Sequence, residues 1–323
     1  MPDVVRFELQ LEEELFSLHG RLTSGAWTND PYTAKPIADP KPRLIHIASV
    51  QDRVFFQAVY QQLYPIFDKS FIQDSYASRE CKGTHAGVRR FNAFARKVSA
   101  NYTRPAFVLK CDVRKFFANI DHEILLSILS ERISDTAIIP LLKNIVGSFS
   151  TPHLSFSPSK EGDRQKGLPL GNVTSQLFAN IYLNELDQFA KHRLKARHYI
   201  RYCDDFVVLN ESCTALEKYI VEIRDFLRTK LLLELHPNKV TIRKLRQGTD
   251  FLGYVSLPHF RILRTRTKSR MMKRLTVLSK SIRTKEDFEY ALPVIQSYFS
   301  ILSHCKSDAV RQSIFKLFEQ WLR

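Results

Sequence analysis

Residues 198–209, HYIRYCDDFVVL, set two adjacent carboxylates between two short apolar runs rich in β-formers. Runs of this kind fold as a hairpin, and Asp204-Asp205 then falls at its tip. An ordinary turn also favours aspartate, so one acid there says little. Two side by side at the edge of a sheet repel each other unless a cation neutralises them. Residues 106–113, AFVLKCDV, read as a buried strand that Asp112 closes. Strand-end acids on neighbouring strands can converge on a pair of Mg2+ ions, which take oxygen ligands and keep substrate phosphates in their shell. Two ions about 3.5–4 Å apart stabilise the attacking and the leaving oxygen of an in-line displacement at phosphorus. Spacing alone leaves metal binding and plain turn chemistry both open.

The rest of the chain mixes helices and strands. Residues 6–18 place Phe7, Leu11, Leu15 and Leu18 at helical spacing, and Pro31, Pro36, Pro40 and Pro42 make residues 23–42 extended or looping. Ser49 and Asp52 form a plausible capping box ahead of a stripe of Val54, Phe55, Ala58, Val59 and Leu63. Residues 175–194 and 215–233 read as helices, residues 250–257 as a strand pair, and residues 269–323 as helical throughout. The class is α+β with a small helical domain at the end.

Charge sharpens the expected partner. The net charge is +16, and Arg261 to Lys285 holds ten Lys or Arg and no acid. A solvated helix face usually mixes signs, so a single-sign run favours a phosphate track and marks a domain boundary near Arg264. With 44% hydrophobic residues, wholesale disorder is excluded. No apolar run approaches the roughly 20 residues of a membrane helix. Five scattered cysteines without a C-x-x-C pair argue for a reducing compartment, hence the cytoplasm, and against structural zinc.

The motifs, taken together, resemble reverse transcriptases. RYCDDF (201–206) resembles their Tyr-x-Asp-Asp box, and LKCDVRKFF (109–117) their first catalytic-aspartate motif. GLPLGNVTSQLFANIYLNELD (167–187) resembles the motif before the box, and HPNKV (236–240) and FLGY (251–254) the two after it. SVQDRV (49–54) and SYASRECKGTHAGV (75–88) resemble the fingers motifs of bacterial members. The order is the family's, over about residues 43–255. Group II intron enzymes usually read Gln-Gly-x-x-x-Ser-Pro before the box. This chain reads Leu170-Gly171-Asn172-Val173-Thr174-Ser175-Gln176, a form similar to that of diversity-generating retroelements. The retron pattern Asn-Ala-x-x-His fails, because Phe94 and Ala95 follow Asn92-Ala93. No RNase H, maturase or His-Asn-His module is expected after the helical tail.

The resemblance implies a right-hand polymerase, with fingers and palm interleaved over 1–260 and an all-helical basic thumb over 261–323. It implies an RNA-templated DNA polymerase, bacterial or phage-encoded, that copies a template-repeat RNA into cDNA with errors at adenines. Its partners would be template RNA, the RNA/cDNA duplex, dNTPs and a small basic accessory variability protein oligomer. Asp112 and Asp204 would ligate two Mg2+ ions, with Mn2+ a possible substitute, and Asp205 would complete the acidic cluster. Lys239 matches a lysine placed to protonate departing pyrophosphate, though a lysine in a turn can equally be inert. Phe117 matches the steric gate against a ribose 2′-hydroxyl, with Phe116 beside it in the core. Arg79 and Lys82, and Arg43 more loosely, match basic positions that hold the triphosphate. Leu170 stands with Gly171 where many retroviral relatives carry a glutamine that contacts the incoming sugar. Gly253 and Tyr254 match the primer grip. Arg264, Arg266, Lys268, Arg270, Lys273 and Arg274 would follow the nucleic-acid backbone. The histidines and cysteines suggest neither a zinc set nor a nucleophilic triad. The other readings are a group II intron-like or abortive-infection enzyme, and an RNA-binding protein with a dead polymerase fold.

Overall fold

The computed structural model describes residues 2–38, 42–151 and 164–321; Pro40 lies outside the described residues. The first apolar stripe does not run as one helix. Helix α1 (Pro2–Leu9) stops at Gln10, whose φ of −119° is not helical, and α2 (Leu11–Thr23) begins anew. The break turns Leu11 and Leu15 outward, so of the four expected core positions only Phe7 and Leu18 are buried. Strands β1 (Thr33–Ile37) and β2 (Arg43–Ile47) pair antiparallel, with Thr33 opposite Ile47. Ser49 caps α3 (Val50–Asp68) by accepting the Asp52 N–H at 3.1 Å. The expected box is only half formed, because the buried Asp52 carboxylate accepts from the Asp30 N–H at 2.9 Å instead. Along α3, Phe55, Phe56, Val59 and Leu63 are buried and Ala58 is exposed.

Helix α4 (Thr84–Val98) precedes β3 (Phe107–Asp112), which ends on the expected aspartate. Then come α5 (Phe116–Asn119), α6 (His122–Ser130), α7 (Ile138–Gly147) and α8 (Val173–Gln188), the last running on as a wider turn over Phe189–Arg193. The expected hairpin is β4 (His198–Tyr202) and β5 (Asp205–Asn210). Helix α9 (Cys213–Lys230) follows, and Phe226 stacks on Phe189 with ring centroids 4.3 Å apart. Strand β6 (Thr241–Lys244) pairs antiparallel with β3, and the four-stranded sheet has the order β4-β5-β3-β6. A three-stranded sheet holds β7 (Thr249–Phe251), β8 (Tyr254–Ser256) and β9 (Arg261–Leu263). Three helices end the chain: α10 (Thr265–Ser281), α11 (Lys285–Leu302) and α12 (Asp308–Leu317).

Two compact units interleave along the sequence. The first comprises residues 1–81, 111–206 and 218–240, the second 82–110, 207–217 and 241–323. In the first, Trp27 is fully buried edge-on to Phe55, and α8 contributes Leu177, Ile181 and Leu186 to the core. In the second, Met271, Leu275, Phe288, Ile295, Leu302 and Ile314 form one cluster that gathers α10, α11 and α12. Thr284 and Asp287 make a complete capping box at the start of α11.

Candidate active site

The site lies within the first unit and starts where β3 ends. The Val113 N–H donates to the Asp204 carbonyl at 3.2 Å, so the hairpin tip is hydrogen-bonded to the residue after Asp112. On the other side the His236 N–H donates to the Asp112 carbonyl at 2.8 Å. This pins the HPNK turn to the strand end and delivers Lys239. Its ammonium donates to both Asp112 carboxylate oxygens, at 2.8 and 2.9 Å. Burial raises the Asp204 carboxyl above the ordinary range, and the Asp112 charge raises it further, while Lys239 opposes the shift. Asp112 and Asp204 therefore share one space, with the Lys239 ammonium as counter-charge. After burial, the Asp205 charge is the main reason the Cys111 thiol is raised, and the Asp112 charge adds to it.

The tip itself is strained. Cys203 is left-handed at φ 55° in a two-residue turn, a conformation that costs a side chain about 1–2 kcal/mol. Beneath it lies a polar network that the sequence reading gave no role. Arg201 and Asp187 are both fully enclosed, at 0% exposure, and pair through two bonds: Nε to Oδ1 at 2.8 Å and Nη2 to Oδ2 at 2.7 Å. Nη1 donates to the Asn180 Oδ1 at 3.1 Å and to the Cys203 carbonyl at 3.2 Å. The Tyr199 hydroxyl donates to Asp187 at 2.8 Å, and Asn180 donates to the Ala77 carbonyl at 2.8 Å. Burial pulls the Arg201 guanidinium down, but the Asp187 charge and hydrogen bond outweigh it and hold the proton more tightly than usual.

The nucleotide positions divide. Phe116 is buried and Phe117 keeps a partly exposed ring 5.4 Å from it. The Leu170 carbonyl accepts the His46 N–H at 2.9 Å, tying the 170–176 segment to β2, where Arg43 is the exposed first residue. Gly171 has φ +119°, and a Cβ there would come 2.7 Å from Ile45 Cγ2, so only glycine fits. Arg79 corrects an expectation. Its side chain is 6% exposed, Nε is held by Asp68 at 2.6 Å, and Nη1 donates to the Ile72 and Ser75 carbonyls. Its guanidinium braces the segment before the site and is not turned toward a ligand.

The remaining positions belong to the second unit. Lys82 precedes Gly83, the cap of α4. Leu252 and Gly253 are both left-handed, as the tight β7–β8 turn requires. Tyr254 is 3% exposed and its hydroxyl donates to the Ile301 carbonyl at 3.1 Å. That corrects the second expectation: Tyr254 anchors a core, and Gly253 before it is half-buried in the turn. Arg264 caps α10 and donates to Asp250 at 2.6 Å, whereas Arg266, Lys268, Arg270, Lys273 and Arg274 are exposed along α10.

The five cysteines are free. Burial, then the Asp204 charge, pushes the Cys203 thiol up to about 12. Such a thiol is about one part in ten thousand thiolate at pH 8. Iodoacetamide at pH 8 is therefore expected to label exposed Cys81 well before Cys203 or Cys111, read by peptide mass spectrometry. Labelling of Cys203 as fast as Cys81 would contradict the raised thiol at the tip.

Paired carboxylates at a strand end and at the tip of a neighbouring hairpin, on a fold of mixed helices and strands, are the arrangement expected of a right-hand polymerase. Residues 35–256 match the family described as Reverse transcriptase (RNA-dependent DNA polymerase), and the chain belongs to that family of RNA-directed DNA polymerases. It is 27% identical to Protein YkfC of Escherichia coli strain K12, over 81% of this chain and 74% of that protein. It is 22% identical to the Group II intron-encoded protein LtrA of Lactococcus lactis subsp. cremoris, over 75% of this chain but only 49% of LtrA. In fold it is similar to apo telomerase from Candida tropicalis, with TM-score 0.55, 14% identity, and coverage of 96% of this chain and 67% of that one. The telomerase of Candida albicans solved with a telomeric RNA fragment gives TM-score 0.51 at 12% identity, covering 84% of this chain and 54% of that one. Among the described residues, no helix is long and apolar enough to cross a membrane.

Proposed function

We propose that this chain is the reverse transcriptase of a diversity-generating retroelement, making adenine-mutagenised cDNA from a template-repeat RNA. The observation that carries this reading is the Leu170-Gly171-Asn172-Val173-Thr174-Ser175-Gln176 segment at the head of α8. Leu170 offers bulk and no side-chain hydrogen bond. Losing one such bond to the correct nucleotide is worth roughly 0.5–1.5 kcal/mol, or up to about tenfold in discrimination. The likeness to LtrA favours a second reading, a group II intron-like enzyme with ordinary fidelity. Primer extension on an RNA template with Mg2+, followed by cDNA sequencing, separates the two. Errors are expected to concentrate opposite template adenine, and Leu170→Gln should lower those errors more than any others. An even error spectrum overturns the retroelement reading.

Among the described residues, no cluster of three or more His, Cys, Asp or Glu is preformed for a metal. Asp112 and Asp204 nevertheless fit a hard divalent ion, because they are oxygen donors whose shared negative charge burial leaves poorly compensated. They would hold the Mg2+ pair, or Mn2+, with Asp205 as the third acid of the cluster. When bound, the ions lower the pKa of the primer 3′-hydroxyl and spread the charge developing at phosphorus. Lys239 keeps an ammonium at this point, 2.8 Å from Asp112, where it can hold a proton near the leaving group. Phe117 lies under the sugar and excludes a 2′-hydroxyl. Phe117→Ala is expected to raise ribonucleotide over deoxynucleotide incorporation in competition assays; an unmoved ratio assigns Phe117 to packing. Lys82 and Arg43 meet the triphosphate, Gly253 the primer end, and the exposed cations of α10 the duplex backbone. In this reading residues 1–260 are fingers and palm, residues 261–323 are the thumb, and a basic accessory protein oligomer joins the complex in the cytoplasm.

A further inference from the structure

We propose that Arg201 and Asp187 are positioning residues that set the catalytic hairpin against α8, an inference that rests on the polymerase reading above. Arg201 reaches three segments of the first unit at once. Its fork grips Asp187, and its remaining donor group is shared between Asn180 and the Cys203 carbonyl. Its backbone N–H donates to the Asp74 carbonyl at 3.0 Å and its carbonyl accepts the Tyr76 N–H at 3.0 Å. Asn180 and Asp187 are seven residues apart, two turns along one face of α8, so both ends of the grip sit on a single rigid element.

The contact that matters for chemistry is the one to Cys203. Its carbonyl belongs to the peptide that leads into Asp204. Cys203 holds a left-handed conformation without being glycine, and such a conformation persists only where the surroundings over-determine it. A guanidinium can meet a carboxylate with two donors and still direct a third at that carbonyl. A lysine ammonium is a point charge and cannot keep all of these directions. A buried ion pair is also not the economical way to stabilise a core, since apolar residues of similar volume usually do as well. What apolar residues cannot do is hold the Cys203 carbonyl. The head of α8 carries the 170–176 segment, so the same grip fixes the Asp204 approach relative to that segment.

The test is a variant that keeps the core and loses the grip: Asp187→Leu with Arg201→Met and Tyr199→Phe, compared with Arg201→Lys and wild type. Each is checked for folding by circular dichroism, then assayed for single-nucleotide extension and, separately, for Mn2+ binding by titration calorimetry. Both variants are expected to lose about 100-fold in kcat, the scale of a 1 Å misplacement, with KM for dNTP within about twofold. Mn2+ affinity should weaken about tenfold or more, as when a group that orients a metal ligand is removed. A folded variant with wild-type kcat and Mn2+ affinity overturns the proposal, as does a loss carried by KM alone. If neither variant folds, Asn180→Ala decides: it keeps the ion pair and the Cys203 contact but removes the second acceptor that Nη1 has on α8, so a smaller loss confined to kcat supports the proposal and an unchanged kcat overturns it. Wild-type extension and Mn2+ binding in the same series test the polymerase reading itself, so a loss confined to the variants speaks to the grip alone.

Discussion

Asp204→Asn is expected to reduce primer extension by about 10²–10³-fold or more, the scale seen when a preorganised electrostatic contact at a transition state is removed. The same change should leave the fold as stable as before, or slightly more so. The Asp204 carboxyl is raised by burial and by the Asp112 charge, so its ionised form is disfavoured in the folded chain. A group raised in this way binds its proton more tightly folded than unfolded. Its contribution to stability is therefore fullest at low pH and is lost as pH rises through its folded value. Asparagine mimics the protonated form at every pH and removes that cost at neutrality. Asp112→Asn should be as inactive but should gain no stability, because it strips Lys239 of a partner held at 2.8 and 2.9 Å. Melting both variants with EDTA present, beside an extension assay, checks both halves. Near wild-type extension by either variant would remove it from the catalytic site. A clear fall in the melting temperature of Asp204→Asn would mean that its carboxylate stabilises the fold.

Much of this site is legible without coordinates because its elements are short and strongly patterned. Apolar residues on either side of Asp204-Asp205 announce the hairpin, and AFVLKCDV announces β3 down to its last residue. What pattern cannot reveal is direction. The stripe of residues 6–18 has perfect spacing, yet the chain turns at Gln10 and exposes half of it. Arg79 and Tyr254 sit in motifs whose residue types suit ligand contact, but each is consumed by partners of its own: Asp68 for the first, Ile301 for the second. Arg201 and Asp187 show the opposite case. Arg201 is a charge inside the apolar run of β4, a signal in itself, because a charge carried into a core must find a partner; Asp187 follows Glu185 by two residues and carries no such mark. Periodicity does not say which partner, and 14 residues separate these two.

That pair carries the largest stability effect expected of any single change here. Asp187→Leu removes a carboxylate that accepts two bonds from Arg201 and one from Tyr199, all at 2.7–2.8 Å. It leaves an enclosed guanidinium with only the Asn180 and Cys203 oxygens as acceptors, neither of them charged. Breaking a buried pair from one side typically costs about 3–5 kcal/mol. Whole domains are stable by only about 5–15 kcal/mol, so urea denaturation should show a large shift of midpoint. Adding Arg201→Met should recover much of the loss, because no charge then remains to desolvate. It should not recover all of it, since the Tyr199 hydroxyl is still enclosed without its acceptor, worth about 1–3 kcal/mol. Tyr199→Phe on top should close most of that gap. The order single, double, triple is thus expected to run from least to most stable, although the triple variant has lost every bond that the single one lost and more. A single variant within about 1 kcal/mol of wild type would mean that Arg201 finds water or another acceptor when Asp187 is gone. A triple variant no more stable than the single would mean that the network holds the first unit together through geometry no apolar core can replace.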